Sequence, residues 1–180
     1  QAIETLSKIL KFHRNTDTGD DALFLLAKTY SRLENWEKAL NAYTSLYSSE
    51  FYSSREGIAR VAAARILTYK LGDYKKALQL VDESLKSKLN SEQQADLLEV
   101  RFTALMRTGS QLEAFEALVT LSEKHPVVSK REEFKRKAKA FLDSRLSGPD
   151  LKDFVSESSN PELRADAMYR YGVHLMSEGK

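Results

Sequence analysis

The side chains that most often act in catalysis or metal binding are sparse in this sequence. The three histidines, His13, His125 and His174, lie far apart: in a predicted linker, beside a helix-stopping proline and on a predicted helix. A metal site or a general base needs such side chains to converge, so each histidine is predicted to have a structural or surface role. The sequence has no cysteine, which excludes disulfides, thiolate metal sites and a cysteine nucleophile.

Two pairs of adjacent acidic residues, Asp20-Asp21 and Glu132-Glu133, are the other candidates for chemistry. Neighbouring residues on a helix point about 100° apart, and both pairs stand at predicted helix starts, where negative charge is favoured. They are therefore interpreted as helix-start residues. The sequence also lacks G-x-G-x-x-G, G-x-x-x-x-G-K-[ST], H-E-x-x-H and G-x-S-x-G motifs. No enzymatic activity, cofactor or metal is predicted.

The composition indicates a folded chain with no strong charge preference for a partner. Of its 180 residues, 42% are hydrophobic and 30% are charged, and 28 Lys and Arg balance 26 Asp and Glu. This composition argues against disorder and gives no reason to expect nucleic acid as a partner. No apolar run approaches the roughly 18 residues of a membrane span, and the first residues show no signal-peptide pattern. Membrane contact is not expected, and the lack of cysteine fits either a reducing or an oxidising compartment.

The elements that would position any functional side chains are clearest in residues 21–47. Apolar residues recur there at helical spacing in two runs, separated by Glu34-Asn35. The first run comprises Leu23, Leu26, Ala27, Tyr30 and Leu33, and the second comprises Trp36, Ala39, Leu40, Tyr43, Leu46 and Tyr47. A hairpin of this size cannot cover both apolar stripes by itself, so it is predicted to stack on similar neighbours.

Similar hairpins recur along the chain. Residues 20–48, 55–88 and 91–126 form three predicted repeats, with a half repeat at 1–14, irregular helices at 129–158 and an unfinished repeat at 160–180. The spacing is 38 residues from Trp36 to Tyr74 and 37 from Tyr74 to Gln111, which is typical of helical arrays. Ser53 and Ser129 each precede a glutamate by three residues, which predicts two capping boxes. One all-α array over residues 1–180 is therefore predicted.

Small and aromatic residues also recur at fixed positions of these repeats. They are Leu26-Ala27-x-x-Tyr30, Ala39-x-x-x-Tyr43, Leu71-Gly72-Asp73-Tyr74-x-x-Ala77, Pro126 and Tyr171-Gly172. This pattern resembles the tetratricopeptide repeat (TPR) family, although Arg65 and Phe102 stand at its usual small-residue place and the spacing exceeds the usual length of about 34 residues. The resemblance implies a right-handed α-solenoid. The long connectors are similar to TPR arrays of bacterial envelope proteins, which favours the cell envelope or periplasm over the cytoplasm.

The resemblance further implies a concave groove lined by the first helix of each repeat. Its partner-binding residues would be Phe24, Leu25, Lys28, Arg32, Ile66, Tyr69, Lys70, Thr103, Met106, Arg107, Tyr169 and Arg170. Basic residues recur near the turn of each copy, where they would complement the helix dipole or hold an acidic or C-terminal carboxylate peptide. The lysine and asparagine clamp of the chaperone-binding members is absent, because the matching places carry Phe24, Lys28, Ala63, Asp96 and Val100.

These observations predict a non-catalytic scaffold that binds a peptide or helix of another protein within a larger assembly. The alternative is a superhelical accessory domain of a larger enzyme, such as a bacterial cell-wall hydrolase, with catalysis outside these residues. Self-association through the terminal repeats is a third hypothesis. The basic residues between Lys130 and Lys139 are interpreted as a solvated face rather than a nucleic-acid site.

Overall fold

The computed structural model describes residues 1–13, 16–48, 53–158 and 160–179. All regular secondary structure in these ranges is helical, so the predicted all-α class is confirmed. The connector predicted after residue 48, and one end each of the predicted segments 1–14 and 160–180, lie outside the described residues. Within the described ranges, every helix is too short or too polar to cross a membrane.

Ten α-helices and one π-helical turn are present in the described part of the chain. They are α1 (Ala2–His13), α2 (Asp17–Arg32), α3 (Trp36–Tyr47), α4 (Glu56–Ile66), the π-helical turn Leu67–Leu71, α5 (Tyr74–Ser84), α6 (Ser91–Thr108), α7 (Gln111–Lys124), α8 (Val128–Ser144), α9 (Gly148–Glu157) and α10 (Pro161–Ser177). The chain divides into two compact units, Gln1–Val100 and Arg101–Lys180, and each is described by itself. The single array over residues 1–180 stays a prediction.

The helical hairpins close with turns of the same backbone geometry. Glu34, Gly72 and Gly109 all adopt the left-handed conformation, with φ angles of 56°, 66° and 85°. Glycine enters this region without steric cost and commonly ends a helix, whereas Glu34 is the unusual member. The next residue caps the following helix: Asn35 and Asp73 each accept a hydrogen bond from the backbone N–H three residues later.

The capping boxes predicted at Ser53 and Ser129 are wrong because the helices start elsewhere. Arg55 precedes α4, and the Ser53 hydroxyl accepts a hydrogen bond from the Arg55 N–H at 3.2 Å instead. The α8 helix begins one residue before Ser129, which therefore already lies inside it. A capping box does form at Ser147 and Asp150, at the start of α9.

Small residues form much of the core of the first unit, so that its helices can pack closely. The alanines with no exposed surface are Ala27, Ala39, Ala59, Ala63, Ala64 and Ala77. Larger buried side chains, such as Tyr43, Leu46 and Val81, fill the spaces between them. The prediction that Arg65 occupies the small-residue place is wrong: Arg65 is exposed, and its neighbour Ala64 is buried there.

Aromatic residues hold the core of the second unit. Phe115 is fully buried, and its ring centroid lies 4.7 Å from that of Phe154 and 6.1 Å from that of Phe141. Phe102 meets Phe141 edge to face at 6.3 Å. These contacts join α7, α8 and α9, so the region predicted as irregular helices is an integral part of this core.

Candidate functional site

An open groove with a volume of about 630 Å³ lies on the first unit. Three parts of the unit form it: the α2–α3 hairpin, α4 with its π-helical turn, and the residues at the start of α6. Its floor comes from one face of α4, where Ile58, Val61, Ala62 and Ile66 follow at helical spacing. Val61 and Ile66 are buried in the core, while Ile58 is exposed. The floor is therefore apolar and anchored in the core.

One side of the groove is aromatic and carries a positive charge. Trp36 begins α3, and Tyr69 lies in the π-helical turn with 52% of its surface exposed. The Lys70 Nζ atom lies 4.8 Å from the centre of the Trp36 ring, a distance typical of a cation–π contact. Burial raises the pKa of the Tyr43 hydroxyl, and a hydrogen bond with Ser31 opposes this effect. Tyr43 is thus a neutral polar group at physiological pH.

The rest of the lining includes charges of both signs. An ion pair of 2.9 Å joins Arg65 on α4 to Asp96 on α6. Glu92 adds a second carboxylate to the lining. Gly57 lies so close to Gln93 that an added Cβ atom would be 2.5 Å from the Gln93 Oε1 atom. The Gln93 side chain therefore packs directly against the backbone of Gly57 at this end of the groove.

Three of the predicted partner-binding residues, Ile66, Tyr69 and Lys70, line this groove. The four predicted on α2, namely Phe24, Leu25, Lys28 and Arg32, are not among its lining residues. Leu25, Lys28 and Arg32 are exposed, whereas Phe24 is half-buried.

Phe24 is held by its neighbours within the first unit. Its ring meets that of Tyr43 edge to face at 6.1 Å. Two cations lie over it: the Lys28 Nζ atom at 5.7 Å and the Arg55 guanidinium at 4.9 Å from the ring centre. Arg55 is itself paired with Asp21. These contacts indicate a structural role for the Phe24 ring.

The other predicted partner-binding residues belong to the second unit. Thr103 and Met106 are half-buried and Arg107 is exposed. Tyr169 is 73% exposed, and Arg170 forms a 2.6 Å ion pair with Asp143 on α8.

Trp36 lines the groove, although the sequence predicts it only as part of the apolar stripe of α3. Ile58, Asn90, Glu92 and Gln93 also line the groove and are not among the predicted site residues. One signal could have identified Trp36: a large amphipathic ring at the first position of a helix, beside a turn, is rarely buried completely. The contribution of the residues at the start of α6 depends on tertiary packing and leaves no such signal.

Three lysines of the basic stretch on α8 form ion pairs with nearby carboxylates. Glu162 on α10 pairs with Lys135 at 2.6 Å and with Lys139 at 2.7 Å. Lys137 pairs with Glu133, and Arg131 donates to the His125 carbonyl at 2.5 Å. Hydrogen bonds from Lys135 and Lys139 lower the pKa of the Glu162 carboxyl to about 2. This arrangement favours the solvated-face interpretation over a phosphate-binding surface.

The histidines occupy separate environments. His13 is exposed, and the Nδ1 atom of buried His125 accepts a hydrogen bond from the Val127 N–H at 3.0 Å. His174 lies 3.3 Å from a Glu178 carboxylate oxygen. Within the described ranges, no three potential metal ligands of the His, Cys, Asp or Glu type come together.

No protein-family model matches the sequence, and the comparisons with curated proteins and with solved structures give no match.

Proposed function

We propose that the first unit binds a segment of a partner protein in its groove and has no catalytic role of its own. The observation that carries this proposal is the combination of an apolar floor with accessible aromatic and charged side chains. Trp36, Tyr69 and Arg65 are of the residue types that dominate the binding energy of protein interfaces. The apolar floor offers a place for one or two anchoring side chains.

The form of the groove favours a peptide or helix over a small metabolite. Its volume of about 630 Å³ would hold several side chains or a small ligand, so the preference rests on the open form and the charged lining of the groove. Charged residues of both signs, including Lys70 and Glu92, lie around an apolar floor. Such a surface suits a chain that alternates apolar and polar side chains, because the apolar ones fill the floor while the polar ones meet the charges.

The proposal also includes the fold type, a right-handed TPR-like solenoid. Its support is the recurrence of one turn geometry at Glu34, Gly72 and Gly109, at intervals close to those of helical repeat families. In such arrays, stacked hairpins use the surface of their first helices for binding.

Site-specific photocrosslinking tests the proposal. The photoreactive residue p-benzoylphenylalanine replaces Tyr69 in one protein and Phe12 in a control, because Phe12 is an exposed aromatic residue on α1. In the cells of origin, position 69 is expected to crosslink to a defined segment of one protein, and position 12 is not. A synthetic peptide of that segment should then change Trp36 emission in a saturable way and bind more weakly to Tyr69→Ala. Identical crosslinks from both positions, or a peptide that does not bind, would contradict the proposal.

A further inference from the structure

The second hairpin, which consists of α4, the π-helical turn and α5, has one more residue before its turn than the α2–α3 hairpin before it in the chain and the α6–α7 hairpin after it. The Asp73 N–H donates to the Leu67 carbonyl, six residues earlier, at 2.9 Å. In the neighbouring hairpins the equivalent bond spans only five residues, from Asn35 to Tyr30 and from Ser110 to Leu105. The chain between Leu67 and Asp73 therefore contains one extra residue.

The π-helical turn Leu67–Leu71 accommodates this residue. The first two hairpins are 37 residues apart when measured before the turn, from Tyr30 to Leu67, and 38 when measured after it, from Asn35 to Asp73. A π-helical turn is the form in which a helix absorbs one additional residue, because its hydrogen bonds reach from i to i+5. The extra residue and the π-helical turn are thus one feature.

One buried side chain of the π-helical turn is unfavourable for stability. Thr68, within it, is only 4% exposed, and its Oγ1 atom has no hydrogen-bond partner among the described residues. A buried hydroxyl without a partner is unfavourable. Turns of this kind are rare and are found frequently at functional sites.

The same turn supplies two side chains of the groove. Tyr69 and Lys70 both line it, and the Lys70 ammonium contacts the Trp36 ring. In the first hairpin the corresponding place is held by Arg32, which is exposed and does not line the groove. Removing one residue changes the relative direction of the side chains on its two sides by about 100°. Tyr69, Lys70 and the following turn could then not all keep their present positions.

We infer that the extra residue in the π-helical turn is the specificity-determining element of the groove, because it places Tyr69 and Lys70 on the groove wall. The inference rests on the function proposed above, since it concerns the same groove. The Lys70 ammonium forms no ion pair within the described part of the chain. The turn therefore selects a partner segment that has an apolar side chain next to an anionic one.

The test uses the dye 8-anilinonaphthalene-1-sulfonate, which combines apolar rings with a negative charge. The unmodified protein is compared with Leu71→Ala and with a deletion of Leu71. Both changes remove the same exposed side chain, but only the deletion shortens the turn. We expect Leu71→Ala to bind the dye within about twofold of the unmodified protein, and the deletion and Tyr69→Ala to bind it at least about tenfold more weakly. Trp36 emission should change in the deletion because Lys70 leaves its ring.

The inference would be overturned if the folded deletion variant and Leu71→Ala bound the dye with equal affinity. It would also be overturned if Tyr69→Ala bound the dye as tightly as the unmodified protein. Circular dichroism shows whether the deletion folds. If it does not, the deletion is combined with Thr68→Val, which removes the unsatisfied hydroxyl. Loss of folding in that protein as well would mean that the extra residue serves the fold, and the inference would be wrong. The dye experiment needs no natural partner, so its failure is distinct from a failure of the crosslinking experiment.

Discussion

The Lys70 ammonium lies 4.8 Å from the centre of the Trp36 ring, so that the π-helical turn of one hairpin contacts the start of α3 in the hairpin before it. Trp36 is the only tryptophan of the protein, and its fluorescence therefore reports on this contact. Lys70→Met is expected to change the emission of Trp36 and to lower the free energy of unfolding by about 0.5–1 kcal/mol, as for an exposed cation–π pair. Emission spectra and urea unfolding measure both effects.

The matched control for this prediction is Lys28→Met. The Lys28 ammonium lies over the Phe24 ring at 5.7 Å, so its removal takes away a similar contact at a different place. We expect this variant to leave Trp36 emission unchanged. Equal emission changes in the two variants would contradict a specific contact between Lys70 and Trp36.

Thr68→Val is expected to stabilise the first unit. The variant keeps the shape of the side chain and removes a buried hydroxyl that has no partner among the described residues. The expected gain is about 1 kcal/mol in the free energy of unfolding, measured by urea unfolding followed through Trp36. Thr44→Val serves as the comparison, because the Thr44 hydroxyl lies 3.1 Å from the Tyr47 hydroxyl and its removal should destabilise the unit. A destabilised Thr68→Val would show that the hydroxyl is satisfied in solution.

Phe115→Ala is expected to destabilise the second unit by about 3–5 kcal/mol, because it leaves a cavity between buried rings. Phe115 has no exposed surface and contacts Phe141 and Phe154. Hydrogen exchange of the α7–α9 amides measures the effect locally. Phe12→Ala, at an exposed position on α1, should change stability by less than about 0.5 kcal/mol. Unchanged exchange in Phe115→Ala would contradict the described core.

The ion pairs of Glu162 predict a dependence of stability on pH. Hydrogen bonds from Lys135 and Lys139 lower the pKa of this carboxyl from 4.5 to about 2 in the folded protein. A carboxyl with a lowered folded-state pKa stabilises the protein above its unfolded-state pKa, and this contribution is lost as the pH falls towards the folded-state value. Glu162→Gln should therefore lower the Tm at pH 7, and its Tm should approach that of the unmodified protein between about pH 4.5 and 2.

Thermal unfolding of both proteins across this pH range provides the measurement. Glu113→Gln is the control, since Glu113 is exposed on α7 and takes part in no ion pair among the described residues. A constant Tm difference between Glu162→Gln and the unmodified protein from pH 7 to pH 2 would rule out the proposed linkage. Added salt should reduce the difference at pH 7, because the ion pairs are exposed.

Much of the fold could be predicted from local signals. The stripe around Leu26 and Ala27 and the turn at Gly72-Asp73 are patterns in which spacing alone indicates a helix or its end. The error at Arg65 has a physical reason. An alignment of the repeats on their turns ignores the extra residue between Leu67 and the turn. In that alignment, all positions before the extra residue are displaced by one residue. Spacing reveals that a residue has been inserted, and only the hydrogen bonds show where.

Fewer of the residues that line the groove could be predicted from the sequence. Ile66, Tyr69 and Lys70 were predicted from their place on the first helix of a repeat, and they do line the groove. Phe24 was predicted on the same grounds, but two cations and Tyr43 surround its ring. Helical spacing gives the direction of a side chain, whereas its neighbours decide whether that side chain is available to a partner.

The residues with left-handed backbone conformation at the hairpin turns affect which substitutions the sequence can accept. Glu34 occupies the position that glycine holds at residues 72 and 109, and the left-handed conformation is kept. The period of the hairpins is therefore maintained by the backbone even where the side chain differs. Residues on the exposed faces of the hairpins can then be replaced one by one while the turns keep their geometry. The surface of such a chain can therefore change while its backbone does not.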